Sequence, residues 1–190
     1  MAKITAIQEQ LPLLEAMAFS IREHAGQYRA DGKTPYSSHP ARVCLIVRQL
    51  FGVSDPATLT VALLHDTFED TTIDFDDIEE KFGKTVARDV AALSKDSRLP
   101  EDERETAYCQ ALSAASPAAK LVKMGDIIDN LLDSAGLSDR KRRKTINKVQ
   151  RYLTAMVKSF QKTDPSSLPA AAKLAQDLID ETLAKVDGGN

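Results

Sequence analysis

The chain is poor in the residues that would settle its function at once. It has two cysteines, Cys44 and Cys109, far apart in the sequence. That excludes a disulfide framework and a zinc ribbon. Cys44 sits in the apolar run VCLIV, where a core thiol is expected. Eight glycines build no G-x-G-x-x-G, no P-loop and no G-x-S-x-G turn, and no H-E-x-x-H is present. Aromatics make up 5% and no stretch alternates as a strand would, which excludes an ordinary sheet protein. No apolar run is long enough to span a bilayer, and the opening MAKITAIQEQ has no signal-peptide core. There is no basic excess either. The net charge is −3, which argues against a nucleic-acid binder. A reducing cytoplasm, no membrane and no nucleic-acid partner are the expectations.

What is present is helical punctuation. His39-Pro40, Asp55-Pro56 and Ser116-Pro117 each place proline at a helix start, where its missing N–H costs nothing. Asp74 with Asp76 and Asp77 marks a further start. Gly26, Gly83 and Gly136 fall where helices should stop. The pattern predicts helices near 5–25, 40–51, 56–69, 75–82, 84–95, 101–114, 117–135, 138–161 and 167–186. The fold class is all-α, with about 8–9 helices in a single domain, 1–190. The linker-like stretch Thr163–Ser167 precedes the last helix, near 167–186, which should pack on the rest.

The segment ALLHDTFEDTT (62–72) crowds His65, Asp66, Glu69 and Asp70 at the end of an apolar run. On a helix spanning 56–69, Asp66 would neighbour both Glu69 and Asp70, and like charges at that spacing repel. A protonated carboxylate, a nearby cationic side chain or a bound cation would relieve the repulsion. Imidazole beside carboxylate favours the cation. The other histidines are His24 and His39. His24 lies on the apolar stripe Leu14, Met17, Ile21, His24 and reads as a core histidine. His39, fixed by Pro40, becomes a candidate ligand opposite His65-Asp66. In LVKMGDIIDNLLDS (121–134), Leu121, Met124, Ile128, Leu131 and Leu132 make one face. Lys123, Asp126, Asn130 and Asp133 make the other, an arc of acid, amide and cation suited to a metal and a phosphorylated ligand.

The order His39, His65-Asp66, Asp126 resembles that of the HD superfamily of metal-dependent phosphohydrolases. TPYSSHP (34–40), ALLHDTFEDT (62–71), Phe82-Gly83 and LVKMGDIIDN (121–130) resemble the hydrolase domain of the RelA/SpoT family. SKDSRLPEDERE (94–105) is similar to the single-domain small alarmone hydrolases. The resemblance spans roughly residues 10–160 and leaves no length for a synthetase domain. It implies an HD-domain helical fold and manganese-dependent removal of the 3′-pyrophosphate from (p)ppGpp. It implies His39, His65, Asp66 and Asp126 as ligands of Mn(II), with Mg, Fe(II) or Zn as alternatives. Glu69 and Asp70 match the catalytic pair. Arg29 matches an arginine that packs against the nucleotide, and Asn130 an asparagine near the base. Three positions depart from the family pattern: Ala30 and Ile127 stand where basic residues are usual, and Asp129 where an aromatic ring is usual. Ala30 and Asp129 leave adenosine alarmones such as ppApp, or another 3′-phosphorylated nucleotide, as alternative substrates. A non-catalytic nucleotide binder is a third reading, which the Glu69-Asp70 pair argues against. The basic run 140–144 reads as a solvated helix face, from which Arg140, Arg143 or Lys144 would supply the missing cations.

Overall fold

The computed structural model describes residues 2–187. The expected span 1–190 therefore includes residues 1 and 188–190, which lie outside the described residues. Among the described residues there are ten α-helices, one 3-10 turn at Ser134–Gly136 and no strand beyond an isolated Tyr28–Pro35 bridge. The helices are α1 (Ala2–Glu23), α2 (Ser38–Gln49), α3 (Pro56–Leu64), α4 (Thr67–Asp70) and α5 (Phe75–Phe82). They continue with α6 (Lys84–Leu93), α7 (Glu101–Ala114), α8 (Pro117–Asp133), α9 (Asp139–Val157) and α10 (Ser167–Asp187). None is long and apolar enough to cross a membrane.

The expected punctuation operates at several starts. The Asp55 carboxylate accepts the Thr58 N–H at 2.9 Å, and Ser116 Oγ accepts the Ala119 N–H at 3.0 Å, each with proline just behind. Asp74 and Asp77 form a reciprocal capping box on α5. Gly83 takes a φ of 87°, a conformation that an L side chain resists, and so separates α5 from α6.

Helix α3 is the hub. Its residues from Thr58 to Leu64 are all buried, and it packs against α1, α2, α6 and α8. A helix apolar on every side must sit inside. Helices α2 and α8 cross closely at Gly125, where a Cβ would lie 3.1 Å from Val47 Cγ2 and 3.3 Å from Val43 Cγ1. This crossing brings the start of α2, the end of α3 and the middle of α8 to one place.

Two expectations are corrected. The single helix 56–69 is broken after Leu64. Thr67 Oγ1 donates to the Leu64 carbonyl at 2.7 Å and His65 Nδ1 pairs with the Ala62 carbonyl at 2.9 Å, so side chains take over the last carbonyls of α3. Asp66 then sits at φ −100°, ψ −2°, between helical and extended backbone. The stripe Leu14, Met17, Ile21, His24 is not a core face. Leu14, Met17 and Ile21 are exposed, whereas Ala16, Phe19, Ser20 and His24 are buried. His24 is a core histidine, but for a different face of α1 than its spacing suggested.

Candidate metal centre and ligand cavity

Four side chains from two helices and one break converge. His39 comes from the first turn of α2, His65 and Asp66 from the break after α3, and Asp126 from the middle of α8. His39 Nε2 lies 3.1 Å from Asp126 Oδ1 and 3.3 Å from Asp66 Oδ2. His65 Nε2 lies 3.2 Å from Asp66 Oδ2 and 3.8 Å from Asp126 Oδ1. Ligating atoms of His39, His65 and Asp126 all fall within 4.8 Å of one another, and these three residues are buried. His24 is outside this group; its Nδ1 pairs with Gln27 Oε1 at 2.9 Å.

The imidazoles are oriented for metal binding. His65 Nδ1 faces a carbonyl, so Nδ1 carries the hydrogen and Nε2 presents its lone pair to the cluster. That Nε2 is buried and has no hydrogen-bond partner among the described residues. His39 Nδ1 lies 2.7 Å from Asp129 Oδ2, which likewise leaves Nε2 for the cluster. A donor set of two imidazoles and two carboxylates suits a divalent transition metal with open positions.

Electrostatics make the same demand. Burial opposes charge on His39, yet Asp126, Asp129 and Asp66 outweigh it and push the imidazole up to about 11. Burial likewise opposes charge on His65, but Asp66 and Asp126 raise it to about 9. Burial would raise Asp66 and Asp126; the histidines, and for Asp126 chiefly Lys123, hold both far below the usual carboxylate range instead. The site calls for positive charge, and a divalent cation meets that call without the two protons.

Around the four residues lies a second layer. Tyr36 Oη donates to Asp66 Oδ2 at 2.7 Å. Lys123 Nζ donates to Asp126 Oδ2 at 2.7 Å, and Asn130 Nδ2 donates to Asp126 Oδ1 at 2.5 Å. Arg29 reaches Asn130 Oδ1 at 3.2 Å and Asp133 Oδ2 at 2.9 Å, and its guanidinium lies 5.8 Å from the Tyr36 ring centre. Asp129 corrects an expectation. It is fully buried behind His39, with Arg42 Nε 2.6 Å and Arg29 Nη2 3.7 Å away, and it does not face the cavity. Its departure from the family pattern bears on the metal site, not on the base. Ile127 is also fully buried and away from the cavity.

A cavity of about 360 Å³ opens beside the cluster, lined by Tyr28, Arg29, Ala30, Lys123, Asn130 and Tyr152 among others. A second, of about 250 Å³, is lined by Glu69, Asp70, Arg104 and Glu105. Lys95 and Lys148 belong to both. Glu69 Oε1 accepts the Lys95 backbone N–H at 2.8 Å, and burial raises the Glu69 carboxyl. Lys95 and Lys123 both stand over Tyr108 and Tyr152, with Nζ 4.8 to 5.4 Å from the ring centres. Lys95 is pulled down to about 8 by burial and by Lys148 and Lys123.

The basic run 140–144 does not line either cavity. Arg143 pairs with Asp187 at 2.5 Å, Lys144 with Glu101 at 3.5 Å, and Arg140 is exposed. The part of α9 that lines the larger cavity starts at Thr145 and continues with Lys148, Val149 and Tyr152. Lys148, one turn beyond Lys144 on the same face, is the residue that enters. Sequence reasoning missed Lys95, Lys148, Tyr28 and Tyr152. Lys95 lay in the quoted SKDSR segment, and Lys148 continued the chosen face by four residues.

Comparison with known proteins agrees with this geometry. A family model described as HD domain matches residues 16–162. Human guanosine-3′,5′-bis(diphosphate) 3′-pyrophosphohydrolase MESH1 (Homo sapiens) is 42% identical over 126 residues, 66% of this chain and 70% of that protein. The Drosophila melanogaster protein of the same name is 35% identical over 121 residues, 63% of this chain and 68% of that protein. A solved structure described as a metazoan ortholog of SpoT that hydrolyses ppGpp superposes with a TM-score of 0.75 at 25% identity. The match covers 88% of this chain and 94% of that one.

Proposed function

This chain belongs to the HD-domain family, and from that membership we propose that it hydrolyses the 3′-pyrophosphate of guanosine alarmones, (p)ppGpp, giving GDP or GTP and pyrophosphate. The observation that carries the reading is the convergence of His39, His65, Asp66 and Asp126 beside a cavity walled by cations. Manganese is the proposed metal, since two imidazoles and two carboxylates with open positions suit it better than a closed zinc site. Such a cation supplies charge neutralisation on the pyrophosphate and a more acidic water.

The chain's own residues do the rest. Lys123, Lys95 and Lys148 set positive charge where the transferred phosphates would lie, and Arg104 extends that charge into the second cavity. Tyr28, exposed at the mouth, and Arg29 offer flat faces for a base; the larger cavity has a size suited to a nucleoside. Glu69, with a carboxyl raised by burial, accepts a proton from the attacking water and passes it on. Asp70, exposed at the rim of the second cavity, exchanges protons with solvent. Ala30 lines the cavity where a longer basic side chain is usual in the family, which keeps adenosine alarmones as a second reading.

The test is pyrophosphate release by the purified chain from ppGpp and, side by side, from ppApp. Turnover of ppGpp that chelation abolishes and manganese restores is expected. Absence of pyrophosphate release from ppGpp with manganese present would overturn the proposal, and faster ppApp turnover would install the second reading.

A further inference from the structure

Glu105 is a buried acid, 7% exposed, in the wall of a cavity otherwise suited to a polyanion. A lone carboxylate there would repel phosphate and forgo its own hydration. Glu105 is not alone. Its Oε1 accepts from Lys95 Nζ at 3.2 Å and lies 3.3 Å from Lys148 Nζ, and its Oε2 accepts from the Tyr152 hydroxyl. Lys95 belongs to the α6–α7 connection, Glu105 to α7, and Lys148 and Tyr152 to α9, so one carboxylate ties three segments together. Burial would raise its carboxyl, but the Tyr152 hydroxyl and the two ammonium groups hold it below the usual range, and it stays ionised. Lys95 and Lys148 line both cavities. Two ammonium groups on one oxygen repel each other. Without the carboxylate they would part, because the Lys148 side chain, at 44% exposure, has water to turn into.

We infer that Glu105 is a positioning residue: it holds the Lys95 and Lys148 ammonium groups together at the border of the two cavities, so that a chain of phosphates reaching into both finds them in place. The inference rests on the phosphorylated-substrate reading given above. The sign of the effect separates it from simpler roles. A carboxylate that merely lined the wall would repel a polyanion, and its removal would lower KM. One that only tied α7 to α9 would change the melting temperature and leave KM alone. A positioning carboxylate raises KM when its charge is removed, although an anion has been taken out of an anion site. The cost of bringing two ammonium groups together is then offset in the free protein, before the substrate arrives.

The test is steady-state hydrolysis of ppGpp by the full chain with manganese. Glu105→Gln retains an acceptor for Tyr152. It should raise KM about tenfold with kcat nearly unchanged, the effect of losing one hydrogen bond to a charged group. Its alkaline limb should also move to lower pH. Lys95 is faced by Glu105 and Tyr108 from α7, Lys148 and Tyr152 from α9, Lys123 from α8 and Glu69 from α4. Glu105 supports its charge through a direct ion pair. Without that pair the ammonium, already down at about 8, loses its proton sooner as pH rises. Lys148→Ala combined with Glu105→Gln should raise KM by less than the product of the single effects, since one residue acts through the other. Should Glu105→Gln fail to fold, Glu105→Asp decides: it keeps the charge but reaches less far, so KM should rise while the alkaline limb stays in place. An unchanged or lowered KM in the variant that folds overturns the inference, and so does full additivity with Lys148→Ala. A wild type that releases no pyrophosphate would remove the hydrolase reading instead. Calorimetric titration with inorganic pyrophosphate then decides on Glu105: a Kd about tenfold weaker in Glu105→Gln is expected, and an equal or tighter one overturns the inference.

Discussion

Asp129 shows how one residue can be misread until its neighbours are seen. In the sequence it is an acid where the family usually places a ring, and it suggests a changed base. In the structure it is sealed behind His39, fixes the imidazole tautomer through Nδ1 and is neutralised by Arg42 and Arg29. Outer carboxylates of this kind typically change metal affinity by about 10–100-fold when removed. Asp129→Asn should therefore weaken manganese binding by that order, read by metal titration, while Asn130 and the cavity wall remain in place. An unchanged titration would mean that His39 is held by its helix alone. Glu69 is a separate case, because its carboxyl touches no candidate ligand directly and hydrogen-bonds the Lys95 backbone. Glu69→Gln should leave metal content intact and lower kcat by about 10²–10⁴, the usual contribution of a general base. The two histidine ligands were legible because the chain has only three histidines, and the two aspartates because of the order His39, His65-Asp66, Asp126. Asp129 was not, since nothing local distinguishes a buried carboxylate from a solvated one.

At the scale of elements, starts were easier to read than interruptions. Asp55, Asp74 and Ser116 are caps whose partners lie within three residues, so local sequence specifies them. The break between α3 and α4 depends on Thr67 and His65 folding back onto carbonyls, a choice that a run of helix formers does not advertise. The exposed stripe of α1 was misassigned for a related reason. Periodicity identifies an apolar face but not what covers it, and α1 has two such faces. Gly125 joins elements to the site, since it lets α8 approach α2 one residue before Asp126 and close to the helix that carries His39. Gly125→Ala would gain about 1 kcal/mol in helix propensity. It would also force a methyl against Val47 and Val43, an overpacking cost of about 1–3 kcal/mol. The net expectation is a loss of up to about 2 kcal/mol in a urea titration, together with weaker manganese binding as α2 is displaced. Stability and metal affinity that both rise would show that the crossing has slack.

Across the whole molecule, charge is distributed against its total. The chain is net −3, yet Lys95, Lys123, Lys148, Arg29 and Arg104 converge on the two cavities. They come from the 24–36 loop, the α6–α7 connection, α7, α8 and α9, so only tertiary structure assembles them, and composition conceals them. Low-dielectric walls such as the Tyr108 and Tyr152 rings strengthen the field that draws in a polyanion. Lys148→Ala should therefore raise KM with kcat nearly unchanged, as expected for a contact made equally in ground and transition states. The triple alanine variant of Arg140, Arg143 and Lys144 should leave KM alone, because Arg143 and Lys144 pair with exposed acids, Arg140 is exposed, and none of the three lines either cavity. The same crowding gives the site a pH limit. Lys95 sits at about 8 because burial and two neighbouring ammonium groups disfavour its charge. Below that pH it is cationic and attracts phosphate; as pH rises through it the charge is lost, so kcat/KM should fall on the alkaline side. Arginine stays protonated throughout that range. In Lys95→Arg the alkaline fall should move to higher pH while the acid limb stays where it was. A profile that falls at the same pH in both proteins would assign the alkaline limb to another group, and Lys95 would then be a cation that the substrate does not feel.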